Sequence, residues 1–350
     1  MSKKILFTVA AYVTDRPGRW KHVAKAYLML AKGLAKLGYD SCFYVHPEAV
    51  HGRMKQGRYI LTSDEELPLL LKREKPDFCF IWGGRTEADR KTAQQVKEYS
   101  SRCRIIYSEA GWFPQRDRIY FDLEGTNADA SFSKRLTGED NIQDRERANF
   151  IRMRNRIVRR DLGLNPFARV SPFRIEPPDI RKKILVPLQD EQDTNIICSS
   201  PFKTMRAFVE YLSATYPQYR FVVRQHPRAP VSNLPALDNV EYQDKSVDLF
   251  RQFDDIGLVI GINSTVLLQA AMHNKTVIAL GEGIASAGGC VYPMDVDNPL
   301  PEFDCPLVDT DAAERRLAFL LVERQMNRRK LASKRYLQQS YLYELMTDDA

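Results

Sequence analysis

Val259-Ile260-Gly261-Ile262-Asn263-Ser264-Thr265-Val266-Leu267-Leu268-Gln269-Ala270-Ala271 decides the fold. A short β-branched run ends at glycine, a polar turn follows, and an apolar helix opens at the hydroxyl residues. Working outward, Ile256–Gly261 reads as a strand, Ser264–His273 as a helix and Thr276–Leu280 as a strand. Before them Lys183–Leu188 and Arg220–Arg224 read as strands flanking a helix at Pro201–Tyr216. Strands alternating with amphipathic helices mark a parallel-sheet α/β domain. The first half repeats the pattern. Strands are expected near Ile5–Ala10, Ser41–Val45, Phe78–Trp82 and Arg104–Tyr107, and helices near Trp20–Leu37, Asp64–Glu74 and Glu87–Ser100. Gly38 stands where a helix C-terminus calls for glycine.

A basic helical stretch at about Asn141–Leu162 leads into Glu176-Pro177-Pro178, and consecutive prolines stop helix and strand alike. The expectation is therefore α/β with two Rossmann-like domains facing across a cleft and a long C-terminal helical segment. Residues 1–170 form the N-terminal domain, 171–182 the linker, 183–310 the C-terminal domain and 311–350 the helices.

The chain has 350 residues, room for two domains of roughly 150 each. With 44% apolar and 28% charged residues it reads as a folded chain, not a collagenous, mucin-like or disordered one. No apolar run reaches the roughly 18–20 residues of a membrane span. The start reads as a strand and not as a secretion signal, so a cytoplasmic location is expected. The balance of 52 Lys and Arg against 45 Asp and Glu, net +7, favours anionic partners. Its densest runs are Arg152–Arg160 and Arg328-Arg329-Lys330. These are read as solvated helix faces, with peripheral contact to the inner face of an anionic membrane as the second reading. Nucleic acid is not expected, for lack of any zinc-finger or RNP-like pattern. Six cysteines without a C-x-x-C pair and five scattered histidines give no metal spacing.

Polar residues gather where strands end. Glu109, in Ser108-Glu109-Ala110-Gly111-Trp112-Phe113, is a candidate general acid/base beside an aromatic wall, or else a loop cap. The Asp122-Leu123-Glu124-Gly125-Thr126-Asn127 turn lies close downstream. Gln189-Asp190-Glu191-Gln192-Asp193-Thr194 follows a buried strand, and Asp193 is a nucleophilic carboxylate or a helix N-cap. His226 between Arg224 and Arg228 suggests an anion pocket. Asn263-Ser264-Thr265 offers free N–H groups and hydroxyls to a phosphate, or simple capping. Neither G-x-x-x-x-G-K-[ST] nor G-x-G-x-x-G occurs. Gly281–Gly289 reads as a flexible edge able to close on a nucleotide.

In this order the segments resemble the capsule polysaccharide biosynthesis proteins, and among them the retaining β-Kdo glycosyltransferases that use CMP-Kdo in a GT-B-like fold. The matching residues are Glu109-x-Gly111, Asp122-x-x-Gly125-x-Asn127, Gln189-x-x-x-Asp193-Thr194-x-Ile196, His226-Pro227 and Asn263-Ser264-Thr265, over roughly residues 100–290. The resemblance implies double displacement: Asp193 carries a transient Kdo ester and Glu109 takes the acceptor proton. It implies that His226, Ser264 and Thr265, with Asn263, hold the CMP phosphate while Gln189 orients the sugar. Arg224, Arg228 and Arg85 are candidates for the Kdo carboxylate. Gly111, Trp112, Asp122 and Asn127 would line the acceptor side. The expected partners are a nucleotide-sugar donor and a glycan or glycolipid acceptor, with no metal and no further cofactor. Two departures stand out, Arg224-Gln225 before His226-Pro227 and the acids Asp190 and Glu191. Alternative readings are another donor (CMP-sialic acid or a UDP sugar), a nucleotide-sugar epimerase, or a non-catalytic binding subunit of a polysaccharide assembly complex.

Overall fold

The computed structural model describes residues 2–9, 17–45, 59–61, 67–134, 144–243, 246–304 and 307–347. Its strands are β1 (Lys4–Val9), β2 (Asp40–Val45), β3 (Tyr59–Leu61), β4 (Phe78–Trp82), β5 (Arg104–Ala110), β6 (Arg118–Asp122) and β7 (Lys183–Pro187). They continue as β8 (Phe221–Arg224), β9 (Val240–Gln243), β10 (Ile256–Gly261), β11 (Val277–Ala279), β12 (Tyr292–Pro293) and β13 (Met326–Asn327). The helices are α1 (Pro17–Ala35), α2 (Leu67–Glu74), α3 (Glu87–Tyr99), α4 (Ser131–Lys134), α5 (Asp144–Asp161) and α6 (Thr194–Ser199). After them come α7 (Met205–Thr215), α8 (Leu249–Gln252), α9 (Thr265–Met272), α10 (Thr310–Ala318), α11 (Lys334–Gln338) and α12 (Tyr341–Thr347).

Two compact units result, residues 1–126 with 323–350 and residues 127–322. Both are α/β and Rossmann-like. In the first, the sheet order is β13-β6-β5-β4-β1-β2-β3. Strands β1 to β5 are parallel, while β6 is antiparallel to β5 and β13 antiparallel to β6. Phe78–Trp82 is buried at every residue, as a parallel strand covered on both faces requires. On one face Val23, Tyr27, Leu30 and Leu34 of α1 meet Phe7, Phe80, Trp82 and Ile106. On the other, Leu70, Leu71, Ala93 and Val96 of α2 and α3 meet Leu6, Cys79, Ile81 and Tyr107. The valine, leucine, isoleucine and phenylalanine side chains among these each contribute about 1.5–3 kcal/mol when fully buried. The turn at Gly38, with φ +86°, closes α1 as expected.

In the second unit all pairings are parallel, in the order β12-β11-β10-β7-β8-β9. Strand β7 opens the sheet, β8 and β9 extend to one side, and β10 to β12 extend to the other. The order reverses between β7 and β10, and in the first unit between β4 and β1. Ligands of open α/β sheets gather outside the carboxyl ends of strands at such reversals.

Three expectations are corrected. Residues 171–182 are bound into the second unit and are not a free connector: Glu176 N donates to Asn274 O (2.7 Å), Asp179 N to Gly257 O (3.3 Å) and Ile175 N to the Thr310 hydroxyl (3.2 Å). Prolines block regular structure without keeping a segment off the amino-terminal end of a sheet. Residues 311–345 are not one helical tail. Helix α10 stays with the second unit, while β13, α11 and α12 belong to the first, where Leu331, Leu337, Leu342 and Met346 enter its core. Asn327 and Ser333 cap new helical turns, which a spacing of apolar residues alone does not reveal. Finally, 118–122 is strand β6, ending at the residues read as a bare turn.

The returning tail closes on α1 at Gly33, where an added Cβ would lie 2.0 Å from Leu331 O and 2.6 Å from a Leu337 methyl. Gly33→Ala is therefore expected to destabilise the protein by about 1–3 kcal/mol despite its better helix propensity. Urea unfolding of the two proteins measures it.

Candidate functional site

In the second unit the polar residues meet at the β7/β10 reversal. Gln189, just past β7, and Asn263, just past β10, form a reciprocal amide pair. Gln189 Nε2 donates to Asn263 Oδ1 (2.9 Å), and Asn263 N donates to Gln189 Oε1 (3.1 Å). Asn263 Nδ2 lies within 3.2 Å of three carbonyls: Asn195 (3.0 Å), Ser199 (3.2 Å) and Glu282 (3.1 Å). These amides join the strand ends to α6 and to the loop after β11. They hold the site together, a positional role beside the donor contacts expected of Gln189 and Asn263.

The pair sets two helix starts side by side. Asp193 caps α6, its Oδ1 accepting from Asn195 N (2.9 Å), while Oδ2 takes no hydrogen bond from the described residues. Ser264 caps α9, its Oγ accepting from Val266 N (3.2 Å), and Thr265 opens the helix. Asn263, Ser264 and Thr265 are all half-buried, open enough to meet a ligand. The start of α9 gathers N–H groups and the positive end of its dipole at the reversal, which suits a phosphate.

The unusual acids are accounted for locally. Glu191 accepts from Met205 N (2.6 Å) and so caps α7, and Asp190 accepts from Gln192 N (3.1 Å). Beside β7, Leu188 N donates to Arg224 O (2.9 Å), which brings the end of β8 close to Gln189. Gln225 explains the other departure. It bonds both ways with the Val231 backbone (2.9 Å each) and so fixes the 226–230 loop that carries half-buried His226 and exposed Arg228. The Arg224 guanidinium donates to Val247 O (2.6 Å), and burial lowers its pKa against the pull of Asp248. The glycine-rich edge is packed where flexibility was expected. Gly281 N donates to Ile262 O (3.0 Å), Ser286 Oγ bonds Gly283 in both directions, and Ile284 and Ala285 are buried.

In the first unit Glu109 lies at the carboxyl end of β5, inside the strand and not in a loop after it, with its Oε1 accepting from Ala110 N (2.8 Å). Next door, β4 ends in Gly83 and Gly84, with φ +79° and +96°, and a Cβ on Gly84 would lie 2.6 Å from the Tyr107 ring. Buried Asp89 secures this turn by accepting from Gly84 N (3.2 Å) and the Thr86 hydroxyl (2.7 Å). Ser108 and buried Tyr27 share a hydrogen bond of 2.7 Å. Burial pushes the Tyr27 phenol well up, and the charges of Asp89 and Glu109 push the same way.

The aromatic wall is present, but Trp112 is core. It is 4% exposed, stacked on Tyr120 at 4.8 Å, and so does not line an open site. Gly111 is a close-packing position, where a Cβ would meet Arg118 Cβ at 2.6 Å. Asp122 turns its Oδ1 onto Glu124 N (2.8 Å) and Gly125 N (3.1 Å). Arg85 is buried just past the glycines, and Asn127, at φ +56°, belongs to the second unit.

Sequence reasoning missed Asp89 and Arg328. The Arg328 guanidinium lies over the Trp82 ring (5.3 Å), and burial lowers its pKa against Glu109 and Asp117. The only signal was its place in a basic run, whose Arg329 pairs with Asp117 (3.3 Å) and whose Lys330 lies over Tyr336. The run is thus more than a solvated face. Among the described residues no group of three or more His, Cys, Asp or Glu is placed to hold a metal ion.

No protein-family model and no curated protein sequence matches the chain. Solved structures do. The KpsC beta Kdo 2,4 transferase of Thermosulfurimonas dismutans superposes with a TM-score of 0.58 at 12% identity, over 93% of this chain and 92% of that one. The beta Kdo 2,7 transferase of the same KpsC gives 0.57 at 13% identity, with the same coverage. The fold is shared. At these identities the likeness concerns the path of the chain, and the side chains must speak for themselves.

Asn263→Ala takes the acceptor from Gln189 Nε2 and one donor from each of the Asn195, Ser199 and Glu282 carbonyls. It is expected to cost about 1–3 kcal/mol for each group left buried and unsatisfied. Chemical denaturation reads the loss, and amide hydrogen exchange is expected to rise in α6.

Proposed function

We propose that this chain is a glycosyltransferase that moves Kdo from CMP-Kdo to a glycan or glycolipid acceptor, with retention at the anomeric carbon. The observation that carries the reading is the paired start of α6 and α9 at the β7/β10 reversal. There a carboxylate, Asp193, caps α6 and Ser264-Thr265 open α9, and the Gln189–Asn263 pair links the two through Asn195 O. A fold shared along nearly the whole chain with two Kdo transferases supports it.

In this reading the start of α9, with Ser264 and Thr265, receives the CMP phosphate, and His226 on its clamped loop donates to the same group. An Asp193 carboxylate oxygen attacks C2 of Kdo. The bond from C2 to the phosphate oxygen breaks, and CMP leaves with the electron pair, its charge met by the N–H groups of α9. The acceptor hydroxyl then attacks C2 of the ester while Glu109 takes its proton, and the Asp193 carboxylate is released. Two inversions restore the configuration. Gln189 and Asn263 position Asp193 and Ser264.

Intact-protein mass spectrometry after mixing with CMP-Kdo is expected to show a Kdo-sized adduct, mapped by peptide digestion to Asp193. Asp193→Asn is expected to lose adduct and transfer while keeping CMP affinity within a few fold. An adduct that persists in that variant removes Asp193 from the role. Glu109→Gln is expected to slow transfer by about 10²–10⁴-fold, the usual contribution of a general acid/base. Calorimetry with UDP and CMP separates the nucleotide readings, since tighter UDP binding would redirect the proposal to a UDP sugar.

A further inference from the structure

Helix α5 ends in a turn that holds apolar side chains out in water. Gly163, at φ +64°, lets the chain reverse. Its N–H donates to Arg160 O (3.1 Å) and that of Leu164 to Arg159 O (2.8 Å), the pattern of a Schellman closure. Asn165 shapes the next turn, its Oδ1 accepting from Phe167 N (2.9 Å) and its carbonyl from Ala168 N (3.1 Å). Arg159 Nε donates to Ala168 O (2.7 Å), tying the turn back to the helix. On this braced turn Phe167 is 94% exposed and Leu164 41%. A lone exposed apolar side chain is ordinary. An aromatic tip fixed by its own hydrogen bonds and ringed by one sign of charge is not.

The charge is arginine. Arg152, Arg156 and Arg160 are exposed and recur every fourth residue, so they run along one face of α5 toward the tip. Arg169 and Arg174 are exposed beyond it. From Ala148 to Ile175 Asp161 is the only acid, and Arg160 (2.5 Å) and His273 (3.3 Å) already engage it. Buried Arg154 anchors the helix from below by donating to Met272 O (2.9 Å), Ser171 O (2.8 Å) and Asn274 Oδ1 (2.8 Å). The surface is therefore rigid, basic and tipped with phenylalanine.

We infer that this turn, Leu164 to Phe167 with the arginines of α5 and Arg169, is a docking surface for an anionic lipid bilayer. Phe167 and Leu164 enter the boundary between headgroups and acyl chains, and the guanidiniums meet the lipid phosphates. Charge complementarity selects this partner: guanidiniums spread along a helix face match a sheet of phosphates, and the aromatic tip matches the apolar layer beneath it. Among the described residues no helix is long and apolar enough to cross a membrane.

Flotation of the full chain with vesicles tests it. Binding is expected to phosphatidylcholine vesicles that contain phosphatidylglycerol and not to phosphatidylcholine alone, and to fall as salt rises. Phe167→Ser and the double variant Arg152→Ser, Arg156→Ser are each expected to lower partitioning about tenfold or more, with unchanged thermal unfolding. Equal binding to neutral vesicles, or full binding by Phe167→Ser, overturns the inference. So does a concentration-dependent dimer that Phe167→Ser abolishes without any vesicle binding, which would give the tip to a second copy of the chain.

Discussion

Two amide side chains, Gln189 and Asn263, do for the second unit what no backbone ladder does. Parallel strands β7 and β10 pair through Lys183–Leu185 and Ile256–Val259, yet past their carboxyl ends the chain departs in different directions, and backbone groups there need other partners. A glutamine and an asparagine facing each other supply donor and acceptor in both directions, and Asn263 reaches three further carbonyls. An amide is well chosen for this, because it both donates and accepts without bringing a charge into a half-buried place. The starts of α6 and α9, and with them Asp193 and Ser264, are where they are because this pair is formed.

The first unit solves the corresponding problem with a carboxylate and two glycines. Gly83 and Gly84 turn the chain sharply after β4, and Asp89 collects the N–H and hydroxyl groups that the turn exposes. Glu109 is left at the end of β5 beside them. In both units the candidate side chains are thus held by neighbours whose role is positional, and the same residue types serve both purposes. That is why Gln189 and Asp122, singled out for the donor side and the acceptor side, also serve backbone groups.

Much of the architecture was legible in the sequence. Phe78–Trp82 and Ile256–Gly261 are apolar throughout and could only be strands covered on both sides. Gly38 marked the end of a helix. Strand β9 was not legible, since Val-Glu-Tyr-Gln on a sheet edge carries no burial pattern. Nor was the division of the chain after residue 310, because the apolar spacing of α10, α11 and α12 is the same whichever core receives them. Of the candidate site, the strand-end positions of Asp193, His226 and Ser264 followed from reading where apolar runs stop. Asp89 and Arg328 did not, since nothing local distinguishes a helix aspartate or one arginine in a basic run.

The amino-acid sequence alone determined the α/β class, the alternation of strands and helices, and the placement of polar residues just past strand ends, because hydrophobic period and turn chemistry are local properties. Tertiary structure decided which strand ends adjoin, and so which polar residues meet. It paired Gln189 with Asn263 across 74 positions of sequence, returned the C-terminal helices to the first core, and left Phe167 standing in water. Those outcomes depend on strand order and on which surface a helix finds to cover, and a one-dimensional pattern specifies neither.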